Sequence, residues 1–160
     1  MTPRDETNGL LNEAIEMALK LTAEHGSNFP FCMAVTVKGE RLNIAADDTA
    51  VSGYDALLAL VQQQVRSAIA DKQLRAVAVA RHVTLRAGPV KAGTEAIQIT
   101  LDHLQDSAST CYLPYSVSDG QIEPGELFAT DPVDTYFSKE APTMQAAKPS
   151  GGFLKKLFKR

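Results

Sequence analysis

An α+β fold, built on an antiparallel sheet of five or more strands with flanking helices, is what this sequence predicts. Two segments repeat apolar residues with a helical period. Four others alternate side-chain types with the period of two that a strand requires. The strand-like segments mostly follow one another through short turns, as antiparallel neighbours do. The predicted order is α-β-β-α-β-β-β-α.

Leu10, Leu11, Ala14, Ile15, Ala18, Leu19 and Thr22 fall on one helical face, with Asn8 placed as N-cap and Gly26 as the stop. Phe31, Met33, Val35 and Val37 then alternate with Cys32, Ala34 and Thr36, and Lys38-Gly39-Glu40 turns the chain into a second strand over 41–45. Ser52 and Asp55 have capping-box spacing, with Asp in place of the usual Glu. Behind them Leu57, Leu58, Val61, Val65, Ala68 and Ile69 form an apolar stripe, so a second helix is expected over 53–74, packed across the sheet.

In 76–86, Val77, Val79, Val83 and Leu85 share one face while Ala76, Ala78, Ala80 and His82 take the other. A strand with a small face suits close cover by a helix on that side. After a loop at 88–93, Ile97, Ile99, Leu101 and His103 alternate with Gln98, Thr100 and Asp102, which reads as a half-exposed strand. Cys111, Leu113, Tyr115 and Val117 mark the next strand, Pro114 makes it an edge candidate, and Asp119-Gly120 returns the chain through 121–123. Asp131-Pro132 has the arrangement of an N-cap followed by Pro at N1, so a short helix is expected through Phe137.

At 160 residues one core suffices, and hydrophobic (44%) and charged (22%) fractions are those of an ordinary globular chain. The predicted division is a body over 1–138, a linker over 139–152 that holds Pro, Ala and Gln but few large apolar groups, and a tail over 153–160. No apolar run has the length of a membrane span, and the polar first residues do not read as a signal peptide, so a cytoplasmic location is expected. Cys32 and Cys111, lying in apolar segments, are expected to be reduced and buried. Residues 1–152 carry 12 basic against 19 acidic groups, a balance that argues against nucleic acid as a partner.

The element order resembles that of profilin-like domains, the roadblock and longin group above all. The resemblance implies a scaffold that pairs with itself and serves small GTPases or motor components. Glu24-His25-Gly26 with Phe29-Pro30-Phe31, then Tyr112-Leu113-Pro114-Tyr115 and Gly125-Glu126-Leu127-Phe128, is similar to a group of uncharacterised bacterial proteins, which implies a bacterial origin and no particular activity.

Chemistry-bearing patterns are sparse. The only zinc-ligand types besides carboxylates are His25, His82, His103, Cys32 and Cys111, and only a strand pairing that gathered His82, His103 and Cys111 could make a site of them. Gly-x-Ser-x-Gly is missing and no Ser or Cys has an obvious histidine partner. Asp47-Asp48 and Glu123 with Glu126 read as solvated turn acids. No catalytic residue, cofactor or metal ligand is therefore predicted.

The candidate interaction residues are aromatic and basic instead. Tyr112, Tyr115 and Phe128, with Tyr136 and Phe137, concentrate rings near one presumed edge, where they close the core or meet a partner. In the tail, Phe153, Leu154, Leu157 and Phe158 take one helical face while Lys155, Lys156, Lys159 and Arg160 take the rest. Eight residues do not hold a helix alone in water, so this segment is expected to order on a partner or on an anionic membrane, weakly and reversibly. The leading functional expectation is a non-enzymatic interaction or scaffold domain, a homodimer by the habit of the fold it resembles. The alternatives are an immunity-type or regulatory inhibitor of a basic protein, and a small-molecule-binding domain or enzyme, which a deep polar pocket would distinguish.

Overall fold

The computed structural model of the protein describes residues 2–26, 30–45 and 53–137. Two helices and seven strands follow in the order α1 (Pro3–His25), β1 (Phe31–Thr36), β2 (Arg41–Ala45), α2 (Tyr54–Ala70), β3 (Leu74–Leu85), β4 (Thr94–His103), β5 (Asp106–Ser118), β6 (Gln121–Pro124) and β7 (Phe128–Thr130). All strands join one open antiparallel sheet in the order β2-β1-β3-β4-β5-β6, and β7 pairs with another stretch of β5. The α+β class, the antiparallel sheet and the helical stripes are thus as the sequence predicts.

The helices cover opposite faces, as strand alternation requires. Leu10, Ala14 and Ala18 of α1 pack with Ala76, Ala78 and Ala80 of β3 and Ile97, Ile99 and Leu101 of β4. Small residues on both sides let helix and sheet approach closely, which is the arrangement the alanine face of β3 predicts. Val61 and Val65 of α2 pack with Cys32, Ala34, Val77 and Val79 on the other face.

Several boundaries differ from the sequence expectation, each for a local reason. Helix α1 begins at Pro3 rather than after Asn8, because Thr2 and Asp5 exchange side-chain-to-backbone bonds in a capping box and Pro3 occupies the first turn. Ser52 lies outside the described residues, and the N-cap of α2 is Gly53, without a side-chain bond. Helix α2 ends at Ala70 instead of reaching Leu74: Lys72 enters the left-handed region (φ 59°), its N–H bonds Ile69 O and the Gln73 N–H bonds Ala68 O, a Schellman stop made without glycine.

β5 is no edge strand. Its outer side is taken by β6 from Tyr115 to Ser118 and by β7 from Thr110 to Tyr112. Pro114 sits where one neighbour gives way to the other. Its carbonyl accepts from Gly125 N–H at 2.7 Å, so its missing N–H points to the same irregular gap and no ladder bond is lost. A Cβ on Gly125 would lie 3.3 Å from that carbonyl, so this approach uses the absent side chain. Among the described residues, the unpaired outer edge of the sheet at its other end is β2.

The helix expected over 131–137 does not form. Its backbone donors are claimed by side chains of the sheet: Val133 N–H bonds the Thr110 hydroxyl at 3.0 Å, and the Tyr136 and Phe137 N–H groups both bond Asp102 Oδ2, at 2.8 and 3.0 Å. The segment is an extended strap over β4 and β5. Consequently β4 is not half exposed, since Thr100 and Asp102 on its polar side are 3% and 0% exposed. The body predicted to end at 138 is described through Phe137, while the linker and tail residues 139–160 lie outside the described residues.

Candidate functional site: a polar lane beside the second helix

Helix α2 lies over β1, β2 and β3, which leaves the same face of β4 and β5 to the strap. Between the two covers runs a cleft floored by cross-strand rows. Arg81 faces Gln98, Gln98 faces Tyr112 and Tyr112 faces Phe128, one row across four strands. The adjacent row is Val79, Thr100, Thr110 and Thr130. Residues directly opposite in a sheet have neighbouring Cβ atoms, so these pairings line up the side chains of the floor.

The floor is internally bonded. Gln98 Nε2 donates to Tyr112 Oη at 3.2 Å, and the Thr100 and Thr110 hydroxyls lie 3.1 Å apart. The Tyr112 ring stacks on Phe128, 5.1 Å between centroids and 18° from parallel. One cavity of about 210 Å³ opens between α2, the floor and the strap, lined by Gln62, Arg81, Gln98, Thr100, Asp134 and Tyr136 among others. A second, of about 440 Å³, adjoins it at Gln98 and is walled by Val83, Leu85, Tyr112 and Phe128.

The strap side is tied to α2. Arg66 donates to Asp134 Oδ1 at 2.9 Å and to Thr135 O at 3.0 Å, and its guanidinium stands 4.6 Å from the Tyr136 ring centroid. Gln62 Nε2 donates to Asp134 Oδ2 and to Tyr136 Oη, both at 3.2 Å. Burial pushes the Tyr136 hydroxyl up to about 12, so it stays protonated at neutral pH. Against these paired groups Arg81 stands out. Its Nε is shielded from solvent and has no hydrogen-bond partner, an uncommon state for a buried donor.

The candidate residues of the sequence are divided by this arrangement. Tyr112 and Phe128 meet in the cleft, whereas Tyr115 points to the other face and is buried in the α1-side core. Tyr136 and Phe137 close the α2-side core. Phe153, Leu154, Lys155, Lys156, Leu157 and Phe158, like Asp47 and Asp48, lie outside the described residues. Gln62 had no sequence signal, whereas Arg81 interrupts the face of Val77, Val79, Val83 and Leu85, a break in the alternation that could have singled it out.

The gathering of His82, His103 and Cys111 does not occur. His82 pairs with Glu95 at 2.7 Å, and His103 bonds Glu6 at 2.9 Å. Both cysteines are free and buried, as expected, and burial pushes their thiols up to about 12 for Cys32 and about 11 for Cys111. Glu123 and Glu126 are exposed. Among the described residues no helix is long and apolar enough to cross a membrane.

A third cavity, of about 120 Å³, lies between α1 and the β5–β7 pair. The Arg4 and Asp106 side chains that line it bond each other at 3.0 Å, so their charges are already compensated.

No family model, curated protein or solved structure matches the chain.

Proposed function

We propose that this chain is a non-enzymatic binding domain that receives a small polar molecule in the cleft beside α2, with the basic amphipathic segment 153–160 attaching it to a protein partner or an anionic membrane. The observation that carries the reading is Arg81, a cationic side chain lining a cavity whose other polar walls are bonded to one another. A donor in that position gains more from a ligand acceptor than the paired groups around it would. The architecture is read as profilin-like, with a helix, two strands, a second helix and an antiparallel meander.

Catalysis has weaker support, because thiols held near 12 and 11 are poor nucleophiles and neither lies in the lane. Inhibition of a basic protein rests on the acidic balance of the body alone. The tail supplies attachment and not specificity, since four basic residues near an anionic surface contribute about 1 kcal/mol each before ordering costs.

Titration of the nitrogen-15-labelled full chain with a library of fragment-sized polar molecules tests the reading. Shifts should gather on Gln62, Arg81, Gln98 and Tyr112, and Gln98→Leu should diminish them. A library that leaves the cleft resonances unmoved, or scatters its shifts over the surface, sinks it.

A further inference from the structure

The geometry points to a planar monocarboxylate with a flat apolar or aromatic body as the occupant of the cleft, its carboxylate paired with the Arg81 guanidinium and its body lying toward Tyr112 and Phe128. The inference rests on the binding-domain reading and narrows it to a ligand class.

The head group follows from the guanidinium. Its two terminal nitrogens present parallel N–H bonds, a fork that matches the two oxygens of one carboxylate. Arg81 lines the cavity and its Nε is shielded from solvent, so the terminal nitrogens are the edge of the guanidinium left to a ligand.

The charge follows from the neighbours. Asp134 lines the same cavity, but its carboxylate is matched by Arg66 at 2.9 Å and bonded by Gln62 at 3.2 Å. Arg81 therefore balances one negative charge. A dianion such as phosphate would place its second charge, uncompensated, near Asp134.

The body follows from the floor. The row Arg81, Gln98, Tyr112, Phe128 leads from the cation to a stacked aromatic pair, and Val83 and Leu85 stand along the same lane. Size sets no obstacle: an apolar cavity of about 150 Å³ accommodates benzene, and the adjoining space here is about 440 Å³. Gln98 lines both cavities and marks the junction of head and body.

The probes are sodium benzoate, its neutral counterpart benzamide and inorganic phosphate, titrated into the full chain and read by calorimetry and by the nitrogen-15 shifts of the cleft. Benzoate should bind in the cleft, about ten- to a hundredfold more tightly than benzamide, the range expected for hydrogen bonds to a charged group. Phosphate should not compete. Arg81→Gln should abolish the preference for benzoate, and Arg81→Lys, which keeps the charge but lacks the fork, should weaken benzoate by about tenfold. Arg41→Lys on the surface should change nothing. If Arg81→Gln fails to unfold cooperatively, Arg81→Lys carries the test alone.

Equal binding of benzoate and benzamide in the cleft overturns the carboxylate inference and leaves the binding-domain reading standing. Phosphate binding as tightly as benzoate also overturns it. No saturable response to benzoate, the result if water alone satisfies Arg81, overturns the inference, and a fragment library that also leaves the cleft unmoved removes the broader reading with it.

Discussion

Glu6 joins the first turn of α1 to the ends of β3 and β4. The Arg75 guanidinium bonds both carboxylate oxygens, and Oε1 also bonds His103 Nε2 at 2.9 Å, with Glu6 6% and His103 2% exposed. His103 Nδ1 accepts from the Gln105 N–H at 3.0 Å, which places the proton of a neutral ring on Nε2, donating to Glu6. The Arg75 bonds, opposed by desolvation and aided by His103, hold the Glu6 carboxyl below the usual range. A carboxylate depressed in the folded state contributes stability that is present above its unfolded value, about 4.3, and is lost as pH falls through its folded value. Unfolding of Glu6→Gln should therefore show a loss of about 1–3 kcal/mol at neutral pH and a shallower acid limb between about pH 5 and 3. Parallel wild-type and variant profiles would show that Glu6 titrates with no linkage to folding.

Packing of α1 depends on what is small. Ala14 and Ala18 meet Ala76, Ala78 and Ala80, all fully buried, so the layer between helix and sheet has no space for a larger side chain. Ala78→Leu should destabilise by about 1–3 kcal/mol through overpacking, read as a lower denaturant midpoint at unchanged slope. A variant as stable as the wild type would mean that α1 can lift without cost. This layer was legible in the sequence, because a stripe and an alternation are repeated signals that depend on no distant residue. The turn pair Asp119-Gly120 likewise announced the return through β6, but strand β7 and the end of α2 were less legible. Their outcomes turn on single positions, Lys72 in a left-handed stop and Pro114 at a change of neighbour, where residue type alone does not announce the geometry. The lane was half legible. Its Gln, Thr and Tyr alternations predicted a polar strand face, but its burial depends on the strap, and Asp131-Pro132 suggested a helix there because local propensity carries no knowledge of acceptors on a distant strand.

The same dependence makes Asp102 the residue on which the layout of this face turns. Its side chain is fully buried and accepts from the backbone N–H groups of His103, Tyr136 and Phe137, at 2.9, 2.8 and 3.0 Å. A buried carboxylate is tolerated where hydrogen bonds replace water, and here those donors come from β4 itself and from the strap. The strap in turn supplies Asp134 and Tyr136 to the cleft, and the chain continues from Phe137 toward the basic tail. Asp102→Asn keeps the shape but offers a single acceptor oxygen, and its amide group would face an N–H. At least one donor is then left unpaired, at about 1–3 kcal/mol. The strap should loosen before the sheet does, since the apolar contacts of α1, β3 and β4 do not pass through it. Hydrogen exchange of the full chain checks this: Tyr136 and Phe137 amides should lose protection in Asp102→Asn while those of Val77 and Ile99 keep theirs, and fragment shifts at Gln62 and Gln98 should weaken together. Uniform loss of protection across sheet and strap would instead make Asp102 a determinant of global stability and remove its special tie to the cleft.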